Sequence, residues 1–358
     1  ILDVCRDTAD YPAGAQLKWN CEVIWEVEQF QALAPERTEE LFAACRAGRI
    51  GVSAAYANML TGLMGHEQFC RLVYPAARLR REQGLDVRVA TMTDTPSYTW
   101  SLPSVLAGSG VGAFAVGCND GRGVFAAGNP MQPPLHWQGP DDQQCLFWFG
   151  GGYGHALGLG LLDGLEAAER RVPGYVAGRR TDVLRADGGV SDNQTVSREE
   201  AMRLADTVRD WNERYASPRI VLATFDDYFT EYTRRHGDAI PVTRGDGGAY
   251  WEDGAASSAA ETALNRETHE LLTTAEKLHA WARLVEPAHP YPVELLRDAL
   301  RNSMLYDEHT WGAASSITDP DSQFVKDQWT IKAGFSTRAN EQARDGVESG
   351  LQALAAQV

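Results

Sequence analysis

The chain has 358 residues, 44% of them hydrophobic, enough for one large domain and a smaller one, each with a core. Lys and Arg number 33 against 49 Asp and Glu, and the net charge of −16 argues against nucleic acid or an anionic membrane as partner, since both need basic surface. The six cysteines, at 5, 21, 45, 70, 118 and 145, include no CxxC pair and read as small core residues, and no apolar run is long enough to span a membrane.

Taken in order, residues 15–20 (AQLKWN) read as a strand, and residues 22–30 follow as an imperfectly amphipathic helix. Pro35 opens a second helix that stops at Gly48. Residues 50–56 form the next strand, with Asn58 just past its end. A helix over 67–81 is ended by Gly84, and a strand over 87–94 follows. Residues 102–106 are helical, 113–117 extended, and 121–134 a Gly- and Pro-rich loop. After a strand at 145–149, Gly152, Gly154 and Gly158 miss the dinucleotide spacing by one residue, and no P-loop signature is present. Ser197 and Glu200 form a capping box for a helix over 199–215. A strand at 219–224 and a helix at 226–235 complete a β/α alternation that predicts a parallel sheet or barrel. After Pro241 only helical patterns remain, at 262–285, 293–305 and from 319 onward, which predicts a three-helix bundle. The expected domains are therefore 1–240 and 241–358.

Two stretches carry candidate chemistry. In VRVATMTDTPSYTW (87–100), Asp94 follows a strand directly, where parallel α/β folds place reactive groups. Tyr98 and Trp100 beside it offer aromatic surface of the kind a neutral polyol uses. The competing reading is that Asp94 caps the next helix. In LYDEHTWGAASS (305–316), Asp307, Glu308, His309 and Trp311 interrupt the helices. There His309 fits a metal ligand, a general acid/base or a satisfied polar residue.

The runs KWNCEVIWEVEQF, YANMLTGL, MTDTPSYTW, ATFDDYF and YDEHTWGA, in this order, resemble glycoside hydrolase family 38, the class II α-mannosidases, in a bacterial-type branch. The resemblance covers nearly the whole chain. It implies an α/β fold, a seven-stranded β/α barrel followed by a three-helix bundle, and a retaining glycosidase acting on terminal α-mannosidic bonds. It implies one divalent metal, zinc by family habit, with Asp94 and His309 among its ligands. Asp94 matches the nucleophile. Asp192, in GGVSDNQTV, matches the acid/base, with Asn193 leaving the register open by one. Trp100, Trp311, Asn58, Tyr98 and Asp307 are the candidate contacts to an oligosaccharide or glycoside substrate.

The family's H-x-D metal motif does not match this sequence. His236-Gly237-Asp238 is the one such triplet, and it follows ATFDDYF, in the wrong place. The first barrel strand and the C-terminal β-sandwich domains are also unmatched, so the chain as given is expected to be an inactive fragment. A carbohydrate-binding protein on the same fold is the alternative, and a sugar deacetylase a more distant one. The acidic charge and the lack of a leader lean towards the cytoplasm, and a homo-oligomer is left open.

Overall fold

The computed structural model describes residues 1–95, 98–118, 133–151, 154–177, 179, 181–186, 196–247, 252–310 and 312–357. The elements, in order, are α1 (Leu2–Asp7), β1 (Trp19–Cys21), α2 (Ile24–Leu33), α3 (Thr38–Arg46), β2 (Ile50–Val52), α4 (His66–Arg71), α5 (Tyr74–Gln83), β3 (Val89–Thr93), α6 (Leu102–Gly108), β4 (Ala113–Cys118), β5 (Leu135–Gln138), β6 (Gln144–Gly151), α7 (Leu165–Val176), α8 (Arg198–Arg214), α9 (Phe225–His236), β7 (Val242–Arg244), α10 (Ala259–Val285), α11 (Val293–Tyr306) and α12 (Gln323–Ala355). The fold is mixed α/β. It divides into two compact units, one of Ile1–Asn58, Val73–Pro96 and Trp100–Gly247, the other of Met59–Leu72, Ser97–Thr99 and Gly248–Val358. The second unit thus gathers two short segments from before residue 240. Within it Met59 forms an antiparallel bridge with Glu308, and Leu60 N–H donates to Asp307 O at 2.9 Å.

In the first unit β1 and β2 pair in parallel, and a five-stranded sheet takes the order β3-β4-β6-β5-β7. β3, β4 and β6 are mutually parallel, β5 runs antiparallel to β6, and β7 is parallel to β5. One backbone bond, Ala54 N–H to Val89 O at 2.8 Å, joins the end of β2 to β3. Side chains alternate across the pleat. Ala113, Ala115, Leu146 and Trp148 pack on Tyr228, Phe229 and Tyr232 of α9. Phe114 and Phe147, one residue out of phase, stack with ring centroids 5.7 Å apart, and Trp137 lies 5.4 Å from Phe147.

The capping box of α8 is present: Glu200 N–H donates to Ser197 Oγ at 3.1 Å, and Ser197 N–H to Glu200 Oε2 at 2.8 Å. Thr224 and Asp227 repeat it at α9. The helix expected over 67–81 is two helices, because Pro75 sits in the first turn of α5 and brings no N–H to a continuing ladder. The strand expected at 219–224 is not one. Its backbone is taken up mostly by side chains: Ile220 N–H donates to Asn212 Oδ1 and Asn20 Nδ2 donates to Ala223 O, while Leu222 N–H makes a single backbone bond to Gly14 O. β5, α7 and β7 are elements that the sequence patterns do not predict.

In the second unit α10, α11 and α12 pack through Leu272, Ala275, Leu296, Ala299 and Ala343. Gly350 allows a close approach, since a Cβ there would sit 2.8 Å from Leu278 Cβ. His279 is 2% exposed and stacks on His289 with rings 11° from parallel. His279 Nε2 is 2.9 Å from Gly346 O and Nδ1 is 3.0 Å from His289 Nε2. The carbonyl can only accept, so His279 carries its proton on Nε2 and His289 donates to Nδ1.

Candidate active site

In parallel sheets the carboxyl ends of the strands gather the reactive side chains. β3 ends at Thr93, and Asp94 follows with φ +62°, a left-handed conformation that costs a non-glycine residue about 1–2 kcal/mol. The surroundings hold it there, for Asp94 N–H donates to Gly117 O on β4 at 2.6 Å. Asp94 is not a helix cap. The next helix, α6, has Ser101 at its N-cap, seven residues further on.

Beside Asp94 the ends of β1, β2 and β3 are tied by side chains. Ser53 Oγ accepts from Thr91 N–H at 2.9 Å. Thr91 Oγ1 donates to Glu22 O at 2.5 Å. Asn58 Oδ1 accepts from Thr93 N–H at 2.9 Å, while its Nδ2 donates to Glu22 Oε1 at 3.1 Å. Glu22 N–H donates to Glu26 Oε2 at 3.1 Å. Burial, and then the neighbouring Glu22, push the Glu26 carboxyl up to about 7. No sequence pattern distinguishes Glu22 or Glu26, although Glu22 follows a predicted strand as Asp94 does. Trp100 is half-buried, with Nε1 donating to Gln138 O at 2.8 Å.

In the second unit His309 sits on the turn after α11, with Nδ1 2.5 Å from Glu308 Oε1. That turn is fixed from α12. Lys332, 4% exposed, donates from Nζ to Leu305 O at 2.8 Å, Glu308 O at 3.0 Å and Glu308 Oε2 at 3.1 Å. Burial opposes the charge on Glu308, but Lys332 and His309 outweigh it and hold the carboxyl well below the usual range. Asp307, expected at the sugar, is 2% exposed. Asn265 Nδ2 donates to its Oδ1 at 2.8 Å and His269 Nε2 lies 3.1 Å from its Oδ2. Burial pushes its carboxyl up despite His269. Tyr98, expected as a stacking face, is 0% exposed, and a ring with no open face cannot stack on a sugar. Asp192 and Trp311 lie outside the described residues.

His236-Gly237-Asp238 lies at the end of α9. His236 Nε2 is 3.0 Å from Asp182 Oδ1, so the imidazole already has a local partner. Among the described residues no three His, Cys, Asp or Glu come together to hold a metal ion. Catalytic zinc takes three protein ligands, so the described residues do not by themselves fit a zinc site.

No protein-family model matches the chain, and neither does any curated protein. Solved structures do. An α-mannosidase from Enterococcus faecalis V583 aligns over 99% of this chain with a TM-score of 0.76 and 18% identity. A protein of glycosyl hydrolase family 38 from Enterococcus faecalis aligns over 99% with a TM-score of 0.69 and 16% identity. The chain shares the fold of the aligned parts of these two structures. A 4-α-glucanotransferase from Thermococcus litoralis matches more loosely, at a TM-score of 0.52 and 12% identity, over 85% of this chain and 50% of its own. This chain spans 39% and 37% of the two Enterococcus structures, under two fifths of their length. No described helix is long and apolar enough to cross a membrane.

Proposed function

We propose that this chain carries the sugar-cleaving chemistry of a retaining α-mannosidase, with Asp94 as nucleophile. The observation that carries the reading is Asp94 itself, a strained carboxylate-bearing residue at the end of β3 on a fold shared with an α-mannosidase. A retaining glycosidase needs two carboxyl groups about 5–5.5 Å apart. Asp94 attacks the anomeric carbon and forms a glycosyl-enzyme ester. Asp192 protonates the departing oxygen, then takes a proton from the water that hydrolyses the ester. Trp100 and Trp311 are the candidate stacking residues for the sugar rings. In this reading the mutually parallel strands belong to a seven-stranded β/α barrel and α10–α12 form a bundle.

The metal remains part of the proposal only as a binding role. Asp94 and His309 are the ligand candidates for a divalent ion, zinc first, and at least one further ligand has to come from outside the described residues. No step of the chemistry above depends on it. Asp307, with both oxygens engaged, acts as an anchor for the turn that carries His309.

The test is hydrolysis of an aryl α-mannoside by the full-length protein, with bound metal measured on the same sample. Asp94→Asn is expected to lower kcat by about 1,000-fold or more while sugar affinity persists. Sugar binding without turnover in the unsubstituted protein would refute the reading.

A further inference from the structure

We propose that Asn58 and Glu22 are a positioning pair for Asp94, and that Asn58 does not contact the sugar. The proposal rests on the glycosidase reading of Asp94.

Asn58 spends both ends of its amide inside the protein. Its Oδ1 accepts from Thr93 N–H and its Nδ2 donates to Glu22 Oε1, at 2.9 and 3.1 Å. The side chain is 8% exposed, so little of it is open to a ligand. Its orientation is fixed by chemistry, because an ionised carboxylate only accepts and a backbone N–H only donates.

The place where this amide acts matters more than its bonds. Thr93 and Asp94 are consecutive, and their two N–H groups are both occupied, one by Asn58 and the other by Gly117 O of β4. Between them these bonds hold the peptide where the chain turns to φ +62° at Asp94. Removing one frees the strand end to relax toward ordinary backbone and carry the carboxylate with it. Glu22 is itself a firm base for the pair. Its carbonyl accepts from Thr91 Oγ1, and its N–H donates to Glu26 Oε2. The β3 end is thereby tied twice to the end of β1, directly through Thr91 and through Asn58. Every group on this path belongs to the first unit.

The asymmetry of the pair supplies its test. Asn58→Asp keeps an acceptor for Thr93 but sets two carboxylates against each other. Adding Glu22→Gln restores an amide–carboxylate pair with the order reversed. Kinetics are measured on an aryl α-mannoside for Asn58→Ala, Asn58→Asp and the Asn58→Asp/Glu22→Gln double variant. The amide resonances of Thr93 and Asp94 are followed by NMR in the same proteins. Asn58→Ala is expected to lower kcat about 10–100-fold and move KM less than about threefold, the pattern of a displaced catalytic group. The double variant is expected to regain about tenfold over Asn58→Asp, with the Thr93 resonance returning towards its original position.

A raised KM at unchanged kcat in Asn58→Ala makes Asn58 a substrate contact and overturns the proposal. So does a double variant no better than Asn58→Asp. If the unsubstituted protein hydrolyses no mannoside, the glycosidase reading falls, and the resonances alone judge the pair. Thr93 and Asp94 signals unmoved by Asn58→Ala then refute it; signals that move and are restored in the double variant uphold it.

Discussion

Lys332→Met removes the cation beneath the His309 turn while keeping most of the stem that fills the space. Three donated bonds are lost, two to carbonyls and one to the Glu308 carboxylate. Lys332 is 4% exposed, so water does not readily replace it, and Glu308 keeps its charge with His309 beside it but without the ammonium. Breaking a buried pair from one side costs about 3–5 kcal/mol, far above the 0–1 kcal/mol of a surface pair. The assay is urea unfolding followed by far-UV circular dichroism, which reports mainly on helices such as α10–α12. Glu308→Gln in the Lys332→Met background should recover part of the loss. The sign with pH is also set. Glu308 has its folded pKa depressed, so its contribution is present above the unfolded carboxylate value of about 4.3 and lost as pH falls below it through the folded value. The gap between the two proteins should therefore narrow below about pH 4. A loss under about 1 kcal/mol at neutral pH would mean that the ammonium is solvated after all, and the account of the turn would fail.

Asp226, at the start of α9, is pushed up to about 6 by burial and then by Asp86. A raised carboxyl stabilises the fold below the unfolded pKa and loses that contribution as pH rises through about 6. Asp226→Asn should therefore stabilise at pH 7.5 by about 1–2 kcal/mol, after allowance for solvent screening, and give no gain at pH 4 by calorimetry. His279 is lowered, first by burial, with His289 adding to it. Its contribution is present above the unfolded histidine value and lost as pH falls through the folded one, so Tm should drop below about pH 6. His279→Gln should flatten that drop. Gly350→Ala tests the approach of α12 to α10. On an open helix the change gains about 1 kcal/mol, but a Cβ 2.8 Å from Leu278 Cβ should reverse the sign to a loss of about 1–3 kcal/mol in urea unfolding.

The parts of the fold legible in the sequence were those with local chemistry. Ser197 and Glu200 announce α8 because a capping box is made within four residues, and the spacing of Leu264, Leu271 and Leu278 announces α10. β5 and β7 left no such trace. LHWQ and VTR are too short for alternation to show, and the pairing of β5 with β7 joins residues far apart in the chain. Pro173 inside α7 conceals a helix that keeps its pattern on either side. At the site, Asp94 was legible because it ends a recognisable strand. The engagement of Asn58 was not, since the amide could have faced a sugar or a neighbour with equal ease. Lys332 reads as one more charge on a long polar helix. Only the fold brings Glu308 to it and turns a solvated residue into a buried one.

The pairing of β5 with β7 has a kinetic consequence. His136 meets Val242 roughly a hundred residues later, whereas β5 and β6 are joined by one tight turn. Closing the longer loop costs more chain entropy, and it yields a ladder only three residues long. β7 should therefore dock last during folding and open first from the folded state. Its edge residue Val242 is already 53% exposed. Amide exchange at residues 242–244 should accordingly run ahead of exchange in β4 and β6, making this strand a latch that comes undone without the rest of the sheet unfolding.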